Sequence, residues 1–299
     1  MNPKNFQMSM PRTPLREIEP GLLIKFELDN PGASHKARAA RYIIRGAVET
    51  GHIVPGQTTV IEKTGGNFGF GLVLACAEIG VPVELAVGLS FSPLKRRLLE
   101  LSGASLIGID RLQAGATPRE VIEWNLANAR LLGKTYFYTD QFNNPRSIYA
   151  HEHETGPEIA QQLKEVDSIR TVSFVGCAGT GAHLTGISRA LRLAGYAVNV
   201  ILVEPAGCDS RAGVFVSHRF EGMAAGVTPP LLDWNLVADI VRVEHATMLA
   251  TQKRFATMHG YLVGNTSAAC ISVASALAVS LPASHKVLTI AYDHGLWYL

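Results

Sequence analysis

Residues 58–78 read TTVIEKTGGNFGFGLVLACAE, and this stretch decides the fold class. It begins with a compact β-branched run at 58–62, passes through a glycine-rich turn, and enters an apolar run at 72–78. The first run is typical of a buried strand and the last of a helix, and the glycines mark the turn between them. The same order of strand, glycine-rich turn and helix returns at 171–194. The sequence therefore predicts repeated α/β units.

Strands and helices alternate along most of the chain. Further strands are predicted at 22–28, 81–87, 104–109, 199–204 and 286–291, and further helices at 39–49, 93–101, 119–132, 246–258 and 265–279. This alternation is typical of parallel sheets that helices cover on both faces. A length of 299 residues is enough for two domains with a core each. We therefore predict an α/β protein with two doubly wound domains and twisted, mostly parallel sheets.

The composition indicates a globular protein with a small-molecule partner. Hydrophobic residues make up 47% and charged residues 17%, and a formal net charge of +2 provides no basic field for nucleic acid. The sequence has neither an 18-residue apolar run nor a signal-peptide core, so we expect no membrane insertion or export. Cysteines stand singly at 76, 177, 208 and 270, without metal-ligand spacing. We expect a cytoplasmic protein without a metal site.

One lysine stands out at a junction between a loop and a helix. The segment NPGASHKAR at 30–38 places Lys36 between a polar loop and a helical run, with Arg38 two residues further on. A free lysine amine has a pKa of about 10.4, so it needs desolvation or a cationic neighbour before it can form a Schiff base near neutral pH. Arg38 could be that neighbour. The alternative is a solvated lysine in a basic surface segment.

The second glycine-rich turn, GCAGTGAH at 176–183, is a candidate phosphate site. A glycine turn at the start of a helix gathers backbone N–H groups at the positive end of the helix dipole. One alternative is a tight connection that binds nothing. Another is a dinucleotide-binding fingerprint, because Glu204 lies 23 residues after Gly181 at the end of the next predicted strand and could bind a ribose.

Taken together, several segments resemble one family of enzymes. The chain is similar to pyridoxal-phosphate-dependent enzymes of fold type II, the tryptophan synthase β-like family, and especially to its cysteine synthase and cystathionine β-synthase branch. The matching segments follow in the same order along nearly the whole chain: 30–38, 64–72, 141–145, 155–159 and 179–186. The resemblance implies pyridoxal 5'-phosphate in an interdomain cleft and a homodimer. It also implies a larger cofactor-binding domain of residues 1–35 and 146–299 and a smaller, mobile substrate domain of residues 36–145.

The resemblance further implies a role for each matching residue. Lys36 would carry the cofactor as a Schiff base and move the substrate α-proton, and Asn67 would hydrogen-bond the pyridine 3′-oxygen. The phosphate would be bound, mainly by backbone N–H groups, at Gly179, Thr180, Gly181, Ala182 and His183. The substrate carboxylate would be bound by Thr64, Gly65, Gly66, Phe68 and Gln141.

The chain departs from the branch at positions that bear on specificity. Gly65 and Phe68 stand where its members usually have Ser and Thr, so two hydroxyl donors to a carboxylate are missing. His183 replaces a Thr that usually contacts the phosphate. Asp293 or His294 stands where a Ser usually reaches the pyridine nitrogen. The identity of the substrate therefore stays open.

The resemblance implies β-replacement on an O-activated serine-type amino acid, as in cysteine synthase. The leaving group would depart to give an aminoacrylate, which a nucleophilic co-substrate then attacks. One alternative is β-elimination, as in serine or threonine dehydratases. Two further alternatives are an NAD-dependent oxidoreductase built on the fingerprint at 176–204 and a catalytically idle paralogue.

Overall fold

A computed structural model describes residues 10–64, 66–166 and 169–298. The chain forms two compact units, of which the smaller includes Lys36–Arg146 and the larger consists of Pro11–His35 and Ser147–Leu299. The strands are β1 (Leu15–Glu19), β2 (Leu22–Phe26), β3 (Thr58–Lys63), β4 (Val83–Ala86), β5 (Ala104–Leu106), β6 (Thr135–Tyr138), β7 (Thr171–Cys177), β8 (Ala197–Pro205), β9 (Val237–Val243) and β10 (His285–Ala291). The helices are α1 (Lys36–Glu49), α2 (Asn67–Ala77), α3 (Pro93–Leu101), α4 (Ile109–Gln113), α5 (Pro118–Ala127), α6 (Arg146–Ala150), α7 (Gly156–Leu163), α8 (Ala182–Leu193), α9 (His245–His259) and α10 (Asn265–Ala278).

Within its described residues, the smaller unit has a parallel sheet of four strands in the order β5-β4-β3-β6. The central strand β3 is buried along nearly its whole length, as expected for a parallel sheet. Its neighbour β4 is buried at every position. Helix α2 follows β3 directly, so the glycine-rich turn lies at the carboxyl end of a central strand. Ligands of parallel α/β sheets usually bind at this end.

The larger unit has a mixed sheet whose described strands run in the order β1-β2-β10-β7-β8-β9. The outer pair β1 and β2 is antiparallel, and the other neighbours are parallel. The main core cluster of this unit combines apolar side chains of the central strands with those of α7, α8 and α10. The predicted α/β class with mostly parallel sheets is confirmed.

Several boundaries differ from the sequence prediction. Helix α2 begins at Asn67, five residues before the predicted start, because Gly69 and Gly71 belong to the helix and let it pack closely against its neighbours. The strand predicted at 22–28 ends at Phe26 in a 3₁₀ turn at Glu27–Asp29. The helix predicted at 119–132 ends at Ala127.

Candidate active site

Lys36 is the first residue of α1, and α1 packs directly against α2. The two helices touch at Gly71, where an added Cβ would lie 2.9 Å from Cα of Ala37 and 2.9 Å from Cβ of Ala40. It would also lie 3.2 Å from the carbonyl oxygen of Lys36. Asn67 opens α2 four residues before Gly71, so both lie on the same face of that helix. The structure thus brings the predicted lysine and asparagine to the neighbouring starts of two packed helices.

The predicted carboxylate loop joins β3 to α2 in the same unit. Gly66 caps α2 in an extended conformation, and its N–H lies 3.4 Å from Oγ1 of Thr64. Phe68 is only 2% exposed, so its side chain is buried. Gly65 lies outside the described residues.

Glu62, a residue that the sequence analysis did not single out, fixes the position of Gln141. Its carboxylate is buried and accepts hydrogen bonds from the backbone N–H of Gln141 (3.1 Å), from that of Lys63 (2.9 Å) and from the Thr139 hydroxyl. These bonds tie the end of β3 to the loop after β6, where Asp140 adopts a positive φ of 44°. Burial raises the pKa of Glu62 to about 7 against these hydrogen bonds, which favour its ionised form.

The predicted phosphate loop lies in the larger unit, between β7 and α8. Gly181 caps α8 with a φ of 86°, in the left-handed region. An added Cβ would lie 2.5 Å from Cβ of Leu232 at Gly181 and 2.8 Å from the carbonyl oxygen of Gly222 at Gly179. Only glycine fits at both positions, because a later segment of the chain lies directly against the loop.

This later segment, 222–232, also forms hydrogen bonds with the loop. The backbone N–H of Ala224 donates to the Ala178 carbonyl, and that of Leu231 donates to the Thr180 carbonyl, both at 2.9 Å. With the loop carbonyls held in this way, the start of the 12-residue helix α8 supplies N–H donors and a positive dipole end. This set of donors fits a phosphate group.

Asp293 and His294 follow β10 in the same unit. The Asp293 carboxylate is 1% exposed and accepts a hydrogen bond from the Tyr298 hydroxyl. It faces Gly264, the N-cap of α10, where an added Cβ would lie 1.9 Å from Oδ1 of Asp293. A carboxylate at the start of a helix stabilises that helix, which gives Asp293 a structural role. The neighbouring His294 is half-buried, and its backbone pairs with Val263.

Comparison with known proteins decides the family. The family described as pyridoxal-phosphate dependent enzyme matches residues 7–293. The chain belongs to this family. Pyridoxal 5'-phosphate is therefore the cofactor of this enzyme, and the donors of the loop at 179–183 fit its phosphate.

Three similar proteins show where the chain lies within this pyridoxal-phosphate family. The chain is 32% identical over 281 residues to a cysteine synthase of Staphylococcus aureus strain N315, covering 92% of this chain and 86% of the relative. It is 29% identical over 295 residues to the O-ureido-L-serine synthase of Streptomyces lavendulae, covering 96% and 88%. The structure is similar to that of an O-acetylserine-dependent cystathionine β-synthase from Helicobacter pylori, with a TM-score of 0.84, 28% identity and coverage of 98% and 96%. The predicted resemblance to the cysteine synthase branch is confirmed.

The surroundings of Glu204 bear on the alternative that residues 176–204 form a dinucleotide-binding fingerprint. Glu204, the residue expected to bind a ribose, is 2% exposed, and its Oε1 accepts a hydrogen bond from the backbone N–H of Ser210 at 2.9 Å. The side chain therefore supports the chain segment after β8.

Among the described residues, no helix combines the length and apolarity that crossing a bilayer requires.

Proposed function

We propose that the enzyme catalyses β-replacement on a serine-type amino acid whose side-chain oxygen carries an activating group. The bond from the β-carbon to that oxygen breaks, and a nucleophilic co-substrate forms the new bond to the β-carbon. The observation that carries this proposal is the pairing of Lys36 and Asn67 at the adjacent starts of α1 and α2. It is supported by the similarity of the chain to an O-ureido-L-serine synthase and to an O-acetylserine-dependent cystathionine β-synthase. The bound cofactor supplies the electron sink that stabilises negative charge at the substrate α-carbon.

Each predicted site residue has a defined task in this proposal. With the cofactor bound, Lys36 Nζ would hold it covalently and would take the proton from the substrate α-carbon, and the Asn67 amide would hydrogen-bond the cofactor ring oxygen. His294 or Asp293 would contact the pyridine nitrogen, and Asp293 also lies at the start of α10. Backbone N–H groups of the loop hold the phosphate at Gly179, Thr180, Gly181, Ala182 and His183. The substrate carboxylate is held at Thr64, Gly65, Gly66, Phe68 and Gln141.

The proposal also includes the domain organisation, the oligomeric state and the cellular location of the enzyme. Residues 36–145 form the substrate domain, and residues 1–35 and 146–299 form the cofactor-binding domain of a homodimer in the cytoplasm. Free, buried thiols support a reducing compartment, and they are Cys76, Cys177, Cys208 and Cys270. Size-exclusion chromatography with light scattering tests the dimer, and a monomer at micromolar concentration would count against it.

The decisive experiment combines covalent labelling with turnover. Borohydride reduction of the purified holoenzyme, followed by peptide mass spectrometry, is expected to find the cofactor fixed to Lys36. The Lys36→Ala variant should lose both the label and the activity, whereas Lys253→Ala, which changes an exposed lysine of α9, should keep both. Label on any other lysine would overturn the assignment.

Turnover is then measured with O-acetylserine and a panel of nucleophiles such as sulfide and homocysteine. We expect product formation that depends on the nucleophile and little pyruvate in its absence. Rapid release of pyruvate and ammonia without any nucleophile would instead identify a β-eliminating enzyme. A labelled protein whose visible spectrum responds to no serine derivative would be an idle paralogue.

A further inference from the structure

Tyr292 is a buried residue that the sequence motifs do not include. It directly follows β10 and is 2% exposed. Its hydroxyl oxygen lies 3.4 Å from the backbone nitrogen of Cys177 and 3.1 Å from Nε2 of His183. Cys177 ends β7 and His183 is the second residue of α8. One hydroxyl therefore contacts the last residue of β7 and the second residue of α8, which lie on either side of the turn between these two elements.

The protons of these two contacts can be assigned. The Cys177 N–H donates to the Tyr292 oxygen, so the Tyr292 hydrogen is available to His183 Nε2, a better acceptor than the nearby thiols of Cys177 and Cys270. Burial raises the pKa of the Tyr292 hydroxyl well above its ordinary value, so it remains a donor near neutral pH. In a neutral His183 the ring proton is then on Nδ1.

The backbone of Tyr292 also holds the segment that leads to Lys36. Its carbonyl accepts a 3.0 Å hydrogen bond from the N–H of His35, the residue before Lys36. Its own N–H donates to Oγ of the fully buried Ser267 at 2.9 Å. The position of Tyr292 is thus fixed by α10, and the position of His35 is fixed by Tyr292.

Ring packing makes this arrangement compact. The ring of Tyr292 lies edge-on to the rings of His35, at 4.9 Å between centroids, and of His183, at 5.2 Å. An added Cβ on Gly176 would lie 2.9 Å from the Tyr292 hydroxyl oxygen, so β7 has a glycine where the hydroxyl enters. Among the described residues, no group of His, Cys, Asp or Glu side chains is arranged to hold a metal ion. The rings of His35 and His183 pack against Tyr292, and His183 also shares a hydrogen bond with its hydroxyl.

We propose that Tyr292 is a positioning residue for the cofactor: its hydroxyl holds the phosphate loop through Cys177 and His183, and its carbonyl holds the segment that carries Lys36. The proposal rests on the placement of the phosphate at 179–183 given under the proposed function. Tyr292 acts only through these neighbours and needs no contact with the reacting atoms. Its hydroxyl should consequently matter for the phosphate and little for the rest of the cofactor.

The test compares two ligands that differ only in the phosphate. The full chain, freed of cofactor by hydroxylamine and dialysis, is titrated with pyridoxal 5'-phosphate and with pyridoxal, and binding is followed by fluorescence. In Tyr292→Phe the ring stays, but the buried Cys177 N–H and His183 Nε2 each lose their hydrogen bond to the hydroxyl, which typically costs enough to weaken binding roughly tenfold. We expect this loss for pyridoxal 5'-phosphate and less than a twofold change for pyridoxal.

Matched variants guard against a general folding defect. Tyr136→Phe removes another tyrosine hydroxyl, one that donates to Glu84 in the smaller unit at 2.7 Å, and should leave both affinities unchanged. If Tyr292→Phe does not fold, Ser267→Ala, which removes the acceptor of the Tyr292 N–H outside the phosphate loop, should give a smaller loss of the same phosphate-selective kind. Equal losses for both ligands, or no loss for either, would overturn the proposal. The readout is binding, so it stands apart from whether O-acetylserine is turned over.

Discussion

Gly71 of α2 lies so close to Ala37 of α1 that no side chain fits between the helices. An added Cβ would be 2.9 Å from Cα of Ala37, and its other near neighbours are Cβ of Ala40 and the carbonyl oxygen of Lys36. None of these atoms belongs to a flexible side chain, so only a shift of one helix could make room. This contact sets the spacing between the helix that starts at Lys36 and the helix that starts at Asn67.

Gly71→Ala should therefore destabilise the protein and weaken cofactor binding. Alanine is intrinsically the better helix former by about 1 kcal/mol, but overpacking of this kind typically costs about 1–3 kcal/mol. We expect a lower free energy of unfolding in urea and a lower content of bound pyridoxal 5'-phosphate after purification. Gly46→Ala in α1 is the control, because the three atoms nearest to its Cβ would all belong to the flexible end of Arg146. A Gly71→Ala protein as stable and as fully loaded as the control would disprove this role.

Gly181→Ala should weaken cofactor binding more than the cost of a left-handed backbone conformation alone would. Gly181 has a φ of 86°, and its Cβ would meet the backbone of Leu232 at 2.6–2.7 Å. Gly195 has a similar φ of 94° with nothing within 4 Å of an added Cβ, so Gly195→Ala isolates the cost of the left-handed backbone, about 1–2 kcal/mol. We expect Gly195→Ala to retain cofactor and Gly181→Ala to lose most of it, measured by absorbance after dialysis. Equal retention would show that the contact with Leu232 does not matter.

The sequence predicts the buried parts of the fold better than its edges. Strands β2 and β4 are buried at every position, and β3 at all but its last, so their short, mostly apolar or β-branched runs are conspicuous. The patterns do not predict β1, β6 and β9, which lie at sheet edges and are mostly half-buried or exposed. An edge strand packs fewer side chains, so its sequence carries a weaker pattern.

The candidate site also contains residues that the sequence singles out and residues that it does not. The resemblance assigns roles to Lys36, Asn67 and the loop at 179–183, because each lies in a local motif of glycines and polar residues that matches the family. Glu62 and Tyr292 are not singled out, since their partners are distant in sequence: Thr139 is 77 residues from Glu62, and Cys177 is 115 residues from Tyr292. Only the folded chain shows that these side chains hold the motif residues in place.

The buried carboxyl of Glu62 should make stability depend on pH. Its folded pKa of about 7 lies above the ordinary value of 4.5, so the folded protein binds the proton more tightly than the unfolded chain does. The free energy of unfolding should accordingly fall, through this group, as pH rises from about 4.5 to about 7. The shift corresponds to about 3 kcal/mol at full ionisation.

Glu62→Gln removes this titration while keeping the size of the side chain. The difference in free energy of unfolding between the variant and the natural protein should move in favour of the variant by about 3 kcal/mol between pH 4 and pH 8. Urea unfolding at each pH measures it. A constant difference across this range would mean that Glu62 titrates at its ordinary pKa.

An ion pair in the larger unit, between a fully buried lysine and a carboxylate whose side chain is 14% exposed, should stabilise the fold far more than a pair at the surface. Lys25 of β2 is fully buried, pairs with Glu158 and donates to the Thr13 carbonyl at 2.6 Å and to Gln162 Oε1 at 2.9 Å. Removing one partner of a buried pair typically costs about 3–5 kcal/mol, since the other charge loses its compensation. Lys25→Met should therefore lower the free energy of unfolding by that amount.

The control and a second substitution make this prediction specific. Arg119 and Glu123 form an exposed pair at 2.7 Å, with side chains 75% and 57% exposed, so Arg119→Ala should cost less than about 1 kcal/mol. Adding Glu158→Met to Lys25→Met should recover part of the loss, because the uncompensated charge is gone, although the Thr13 N–H then loses its 2.8 Å acceptor. Should the double variant be less stable than Lys25→Met alone, the loss would come from hydrogen bonding of Thr13 rather than from an unpaired buried charge.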